Sequence, residues 1–219
     1  MEAEDIRLKG LRVTVRPLQR QDLDEMETWP RFDDPLYRLF DWSVSSSTQN
    51  DAWFSYLLTD QARVYYAVED EQGRLIGRLS LRDIRRHWSA RLGIGFGAPF
   101  VGQGYGTEAL QVFLHYFFTE LGFERMVLDV AAVNVRAVRC YERCGFKQTG
   151  SDYMHIDGDD DISFLERPEY SHLKQFFKIS GSSRRMLFYD MELEKQDWLQ
   201  QQRKDESLLT QIRRKLRRR

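Results

Sequence analysis

Apolar and polar positions along this chain follow two spacings, and the switches between them mark out its elements. Leu11-Arg12-Val13-Thr14-Val15-Arg16 alternates strictly, which predicts a first strand with one buried face, stopped at Pro17. Arg20 to Trp29 carries the helical period and ends at Pro30. Residues 30–47 then place Phe32, Tyr37, Phe40 and Trp42 among Asp33, Asp34 and Asp41, an aromatic and acidic loop. Thr48 stands where it can cap a second helix running to about Leu58. Arg63 to Glu69 and Arg74 to Leu81 flank the turn Glu71-Gln72-Gly73 and predict a hairpin. Leu92 to Phe96 predicts a fourth strand. Gly104 to Leu121 predicts a long helix whose polar stripe (Glu108, Gln111, His115, Thr119) faces away from a broad apolar side, with Gly122 as its C-terminal cap. Arg125 to Val130 is mostly apolar and predicts a fifth strand buried on both faces. Asn134 caps a helix to about Cys144, which Gly145 ends. A sixth strand falls within Phe146 to Ile156 and the last over Met186 to Leu193. Residues 157–183 keep neither period and predict a partly helical insertion near the substrate side.

With 219 residues and 42% hydrophobic content, these elements suit one α/β (α+β) domain over 1–195 and an amphipathic, basic tail over 196–219. No apolar run approaches the roughly 18 residues of a membrane span, and the acidic start Met1-Glu2-Ala3-Glu4-Asp5 is unlike a signal peptide. The two cysteines, Cys140 and Cys144, share one helical segment, which argues against a disulfide scaffold and for the cytosol. They lack His or Cys partners at metal-binding spacing, so no metal is expected. The net charge of −1 hides an asymmetry, because residues 203–219 carry a net +6 and the rest −7. An acidic body does not suit a nucleic-acid-binding core; contact with nucleic acid is left to the tail.

Chemistry concentrates at Val101-Gly102-Gln103-Gly104-Tyr105-Gly106-Thr107, between a strand and a helix start. Alternating glycines let the backbone turn tightly and bring its N–H groups close to a ligand. The first helical turn leaves N–H groups unpaired, which favours a phosphate. A Walker A loop needs a lysine after its last glycine, and none follows Gly106. A dinucleotide fingerprint from Gly93 and Gly95 fails because Pro99 follows, no helix opens there, and the distal acidic residue is missing. A calcium loop from Asp157 fails at Ile162 and Pro168.

About 28 residues past this loop comes Asn134-x-x-Ala137-x-x-x-Tyr141-x-x-x-Gly145-Phe146. The two motifs in this order resemble the GNAT superfamily of acetyl-coenzyme A-dependent N-acetyltransferases over roughly residues 10–195. With Leu92-Gly93-Ile94 ahead of the loop, the chain is most similar to the subfamily that acetylates ribosomal-protein N-termini. The resemblance implies a mixed, mostly antiparallel sheet of about seven strands, flanked by helices and splayed between the fourth and fifth. It implies that amides from Gly102, Gln103, Gly104, Tyr105, Gly106 and Thr107 hold the coenzyme A pyrophosphate. The strand at Phe96 and Gly97 would pair with the pantetheine arm, Asn134 would touch that arm, and Tyr141 would sit by the sulfur. One departure is Val101, where the family often has Arg or Gln.

The implied reaction is attack of a primary amine on a thioester. A lysine-like amine, with a pKa of about 10.4, costs about 4.6 kcal/mol to deprotonate at pH 7, and an N-terminal amine only about 1.4. Tyr141 lies at i+7 from Asn134, on the same helix face, and suits protonation of the leaving thiolate. For the base, Asp83, His87, Asp129, a water chain or none remain open. The rim of Trp29, Phe32, Tyr37, Phe40 and Trp42 with Asp33, Asp34, Asp41, Asp157, Asp159, Asp160 and Asp161 favours a cationic acceptor: a basic peptide N-terminus, a polyamine or an aminoglycoside. The partners so implied are acetyl-CoA and an amine, with a homodimer allowed and no membrane. The alternative function is a catalytically silent acetyl-CoA-binding module, a sensor or interaction partner.

Overall fold

The computed structural model describes residues 6–42, 46–60, 62–156 and 161–204. Nine strands form one sheet: β1 (Leu8–Lys9), β2 (Val13–Pro17), β3 (Val64–Asp70), β4 (Leu75–Arg85), β5 (Ser89–Phe96), β6 (Arg125–Ala131), β7 (Lys147–His155), β8 (Phe177–Ser180) and β9 (Ser183–Glu194). Their order is β1-β2-β3-β4-β5-β6-β9-β7, with β8 also pairing β9. Every pairing is antiparallel except β5 with β6. The α-helices are α1 (Arg20–Glu27), α2 (Pro35–Arg38), α3 (Ser47–Thr59), α4 (Tyr105–His115) and α5 (Val135–Arg143), and residues 195–204 are also helical.

The sheet matches the expected architecture, with two short strands added. β1 falls where a loose lead-in was expected, and β8 lies inside the insertion. One face of the sheet carries the main core. There α4 buries Ala109, Leu110, Phe113 and Leu114 against Val15, Leu79, Leu81 and Leu92. Past His115 the helix widens into a π turn, Tyr116–Glu120, in which the Leu121 N–H reaches Tyr116 O at 3.0 Å. The wider turn lets the consecutive Tyr116, Phe117 and Phe118 all bury. Gly122 follows at φ +68°, as a helix-ending glycine should. On the other face, α1 and α3 cover β2 to β4 through Leu23, Met26, Trp53 and Phe54. The insertion's 3₁₀ turns, Ser163–Glu166 and Pro168–Phe176, pack Phe164, Leu165 and Leu173 with Leu36 of α2 and Ala131 of β6.

Three local expectations change. The cap of α3 is Ser46, which accepts from the Gln49 N–H while the Gln49 side chain accepts from the Ser46 N–H; this reciprocal pair outcompetes Thr48. Strand β6 is not buried on both faces: Met126, Leu128 and Val130 enter the core, while Val127 and Asp129 are half-buried on the other face. That face is only partly roofed, since α1 and α3 stop on one flank and the insertion on the other. The acidic run Asp157, Asp159 and Asp160 lies outside the described residues.

Candidate functional site

The sheet opens in its middle. β5 and β6 pair only at Ser89–Arg125, Ala90–Met126 and Arg91–Val127. Beyond these, β5 from Leu92 to Phe96 pairs with β4 alone, and β6 from Leu128 to Ala131 pairs with β9 alone. Two strand edges thus face each other across a wedge with their ladder unfinished. An unfinished edge is a template for an extended amide-bearing ligand. Phe96 and Gly97 sit at its wide end, and Gly97 packs against Trp29, whose Cδ2 would lie 2.8 Å from a Cβ at that position.

The glycine loop closes the same end. Gly102 and Gly104 hold φ +76° and +89°, which an L side chain adopts only with strain. A Cβ at Gly102 would meet nothing within 4 Å, so the loop surface is open there. The first helical N–H with a main-chain acceptor is that of Glu108, bonded to Gly104 O at 3.1 Å. The N–H groups ahead of it, from Gly102 through Gln103, Gly104, Tyr105 and Gly106 to Thr107, have no acceptor among the described residues. This cradle fits a diphosphate, and the free β5 edge fits the amide-bearing arm of coenzyme A.

A positive charge stands beside the cradle. Arg12 donates from Nη1 to Gln103 O at 3.1 Å and from Nε to Glu108 Oε2 at 3.1 Å, and its guanidinium lies 4.9 Å from the Tyr105 ring centroid. Val101 stands where the family motif often has a basic or polar residue, and Arg12, ion-paired with Glu108, is the guanidinium beside this loop. Sequence reasoning missed Arg12, because the contact joins residues 91 positions apart.

Helix α5 packs beside the start of α4 and carries Tyr141 into the main core. Asn134 caps it as expected, its Oδ1 accepting from the Ala137 N–H at 3.2 Å. Tyr141 is buried, with its ring 5.9 Å from that of Phe146. Its hydroxyl has no hydrogen-bond partner among the described residues. Burial pushes its pKa far up, and the nearby Cys140 thiol, Asp129 carboxylate and Cys144 thiol add to that. The Thr107 hydroxyl contacts Cys140 Sγ at 3.3 Å, which ties α5 to the first turn of α4.

None of the three side chains considered as base is free at the wedge. Asp129 accepts from Arg91 at 2.6 Å and from Arg82 at 3.1 Å. Asp83 is largely exposed on β4, just before the β4–β5 turn, and pairs with Arg91. His87 is exposed on the same turn, at φ +58°. The acidity of the aromatic rim is also used locally. Asp34 caps α2 and accepts from the Tyr170 hydroxyl, and Asp41 binds Arg31 and the Phe32 N–H. The rim itself reaches α5 through Arg136, whose guanidinium lies 3.8 Å from the Tyr37 centroid and 5.3 Å from that of Phe32. A pocket of about 30 Å³ opens between Met26, Trp29, Phe32, Trp42, Phe96 and Gly97. A wider recess of about 580 Å³ lies on the same sheet face toward the start of β5, beside Arg91, Arg125, Asp190 and Glu192.

Comparison with known proteins agrees with this geometry. The model of the acetyltransferase (GNAT) domain family matches residues 12–147. The spermidine N(1)-acetyltransferase of Vibrio cholerae is 30% identical over 139 residues, covering 63% of this chain and 80% of its own. That of Escherichia coli K12 is 26% identical over 144 residues, covering 65% and 76%. The solved V. cholerae spermidine N-acetyltransferase with CoA and spermine superposes with a TM-score of 0.64 at 24% identity, covering 85% of this chain and 98% of that one, a likeness of fold. These relatives are spermidine acetyltransferases rather than ribosomal-protein N-terminal acetyltransferases, so the finer resemblance drawn from Leu92-Gly93-Ile94 is not carried forward. Among the described residues no helix is long and apolar enough to cross a membrane.

Proposed function

Because this chain belongs to the GNAT acetyltransferase family and uses acetyl-CoA to acetylate an amine, we propose that transfer takes place in the wedge between β5 and β6, with Tyr141 serving the leaving sulfur. Acetyl-CoA supplies the acyl group as an activated thioester. The amides from Gly102 to Thr107 bind its diphosphate, and Arg12 adds charge beside them. The free edge of β5 near Phe96 and Gly97 pairs with the amide-bearing arm, and Asn134 holds that arm from the opposite wall. An N–H on the same edge stabilises the oxyanion of the tetrahedral species. The single observation that carries this reading is the three-pair limit of the β5–β6 ladder beside a diphosphate-sized N–H cradle.

Burial keeps the Tyr141 hydroxyl protonated well beyond neutral pH. A thiol pKa of about 8.5 lies below that of such a phenol. Tyr141 therefore stabilises the departing thiolate by donating a hydrogen bond, and solvent provides the proton. The supporting facts are its buried ring, its partnerless hydroxyl and its position two turns after Asn134. Asp129 and Asp83 are both held by arginines, so the acceptor loses its proton to water before attack. Polyamines and aminoglycosides, named for relatives, are the first acceptors to assay.

Tyr141→Phe should lower kcat by about 10²-fold while the Kd for acetyl-CoA stays within a factor of about two. Thiol release and calorimetry read the two quantities. Loss of binding along with turnover would reduce Tyr141 to a packing residue. Tight acetyl-CoA binding with no turnover on any amine would favour the silent sensor module instead.

A further inference from the structure

The floor of the acceptor face carries three arginines in one row along β4 and β5. Arg82 and Arg91 are matched by Asp129 and Asp83. Arg78 is different. It is half-buried, it faces Gly95 across the β4–β5 pair, and its Nε lies 3.9 Å from where a Cβ of Gly95 would be. Its guanidinium lies 4.7 Å from the Trp42 ring centroid. No carboxylate, carbonyl or hydroxyl accepts from it among the described residues, and burial lowers its pKa, opposed by the Tyr65 phenol and by no carboxylate. A guanidinium held against an aromatic ring, half out of water and with no anion on it, keeps its N–H donors available for a ligand. Arg16, on β2 of the same sheet, shows the usual solution for a buried guanidinium, with both Asp22 and Glu69 on its donors.

The position of Arg78 matters as much as its lack of a partner. Gly95 belongs to the unpaired edge of β5, so the guanidinium stands at the acceptor side of the wedge. Gly93 and Gly95 have no side chains to block the way. Trp42, on which Arg78 stacks, also lines the small pocket with Trp29, Phe32 and Phe96.

We propose that Arg78 is a specificity-determining residue which binds an anionic group, such as a carboxylate, on the acceptor, so that the preferred substrate is an amine that also carries an anion. This rests on acetyl transfer at the wedge but goes beyond it, since that reading takes its acceptors to assay from relatives and not from a residue of this chain. The planar guanidinium presents paired N–H donors that match a carboxylate's two oxygens. Trp42 holds the guanidinium plane in place.

The test compares ω-amino acids from β-alanine to 6-aminohexanoate with n-alkylamines of the same chain length and with spermidine, on the full chain with saturating acetyl-CoA. The amines of the two series have similar basicity once the chain is long, so the carboxylate is the main variable. At the best length, kcat/KM for the amino acid should exceed that for the alkylamine by about 10-fold or more, the scale of one charge-assisted hydrogen bond. Arg78→Gln should erase that ratio and Arg78→Lys retain part of it, with the KM for acetyl-CoA unchanged in both. Calorimetry with 6-acetamidohexanoate on the CoA-saturated protein reads the anion site without turnover, and binding should be lost in Arg78→Gln. Spermidine or alkylamines used as well as the amino acids, or an Arg78→Gln that slows every acceptor alike, would overturn the proposal and leave acetyl transfer standing. Failure of every amine would instead sink the transferase reading, and the calorimetry would then decide the anion site alone.

Discussion

Two contacts of Thr107, at the base of the cradle, link the Cys140 and Cys144 thiols to the donor site. Cys140 Sγ lies 3.3 Å from the Thr107 hydroxyl, and Cys144 follows one turn on. Hydrogen bonding from Cys144 draws the Cys140 thiol below its ordinary value, against the effect of burial, while Cys144 moves the opposite way. Since the thiolate is the nucleophile, iodoacetamide should modify Cys140 before Cys144 and at lower pH than an ordinary thiol. Saturating acetyl-CoA should slow that labelling, because a Cβ at Gly106, inside the loop, would lie 4.0 Å from Cys140 Sγ. Peptide mass spectrometry against time and pH checks both; equal labelling of the two cysteines would contradict the assignment. At this scale the sequence disclosed roles that depend on near neighbours. Asn134 was readable as a cap because its partner, Ala137, is three residues on. Arg12 and Arg78 were not, because their surroundings are assembled from α4, β5 and the Trp42 loop, and nothing local marks them.

Between elements, the strongest joint lies on the side of the sheet away from the wedge. Arg16 on β2 donates to both oxygens of Asp22 on α1, at 2.7 and 2.8 Å, and to Glu69 on β3 at 2.6 Å. Both carboxylates raise its pKa further, so the guanidinium stays charged at any working pH. Arg16→Ala leaves Asp22 buried without its cation and should cost about 3–5 kcal/mol, measured as a lowered urea midpoint at unchanged slope. Arg16→Met should cost less if Asp22 is replaced by Leu in the same chain. Element order and the β3–β4 hairpin followed directly from period and turn chemistry. β1 and β8 did not, since two- and four-residue strands form only where a neighbour offers an edge. The π turn after His115 was equally hidden, because Tyr116-Phe117-Phe118 reads as ordinary helix until its three rings must share one core.

Across the whole molecule, the sheet consists of two plates, β1 to β5 and β6 to β9, whose ladder is only three residue pairs long. Ligand binding to the folded state adds stability by mass action. At 100 times its Kd, acetyl-CoA should contribute about 2.7 kcal/mol, seen as a raised Tm. Hydrogen exchange should locate the gain, with amides of residues 92–96 slowed more than those of β3, whose ladders are already complete. Uniform slowing would mean that the wedge is not where the donor sits. The opening itself was expected only through the family resemblance: the apolar runs of β5 and β6 look alike whether or not their edges meet. The three-pair seam also has a consequence for the protein's persistence. Proteases attack chains in proportion to how often they open. A ligand that bridges the two plates should therefore slow proteolysis of the chain, and CoA, which carries the same diphosphate and arm, should protect it as acetyl-CoA does.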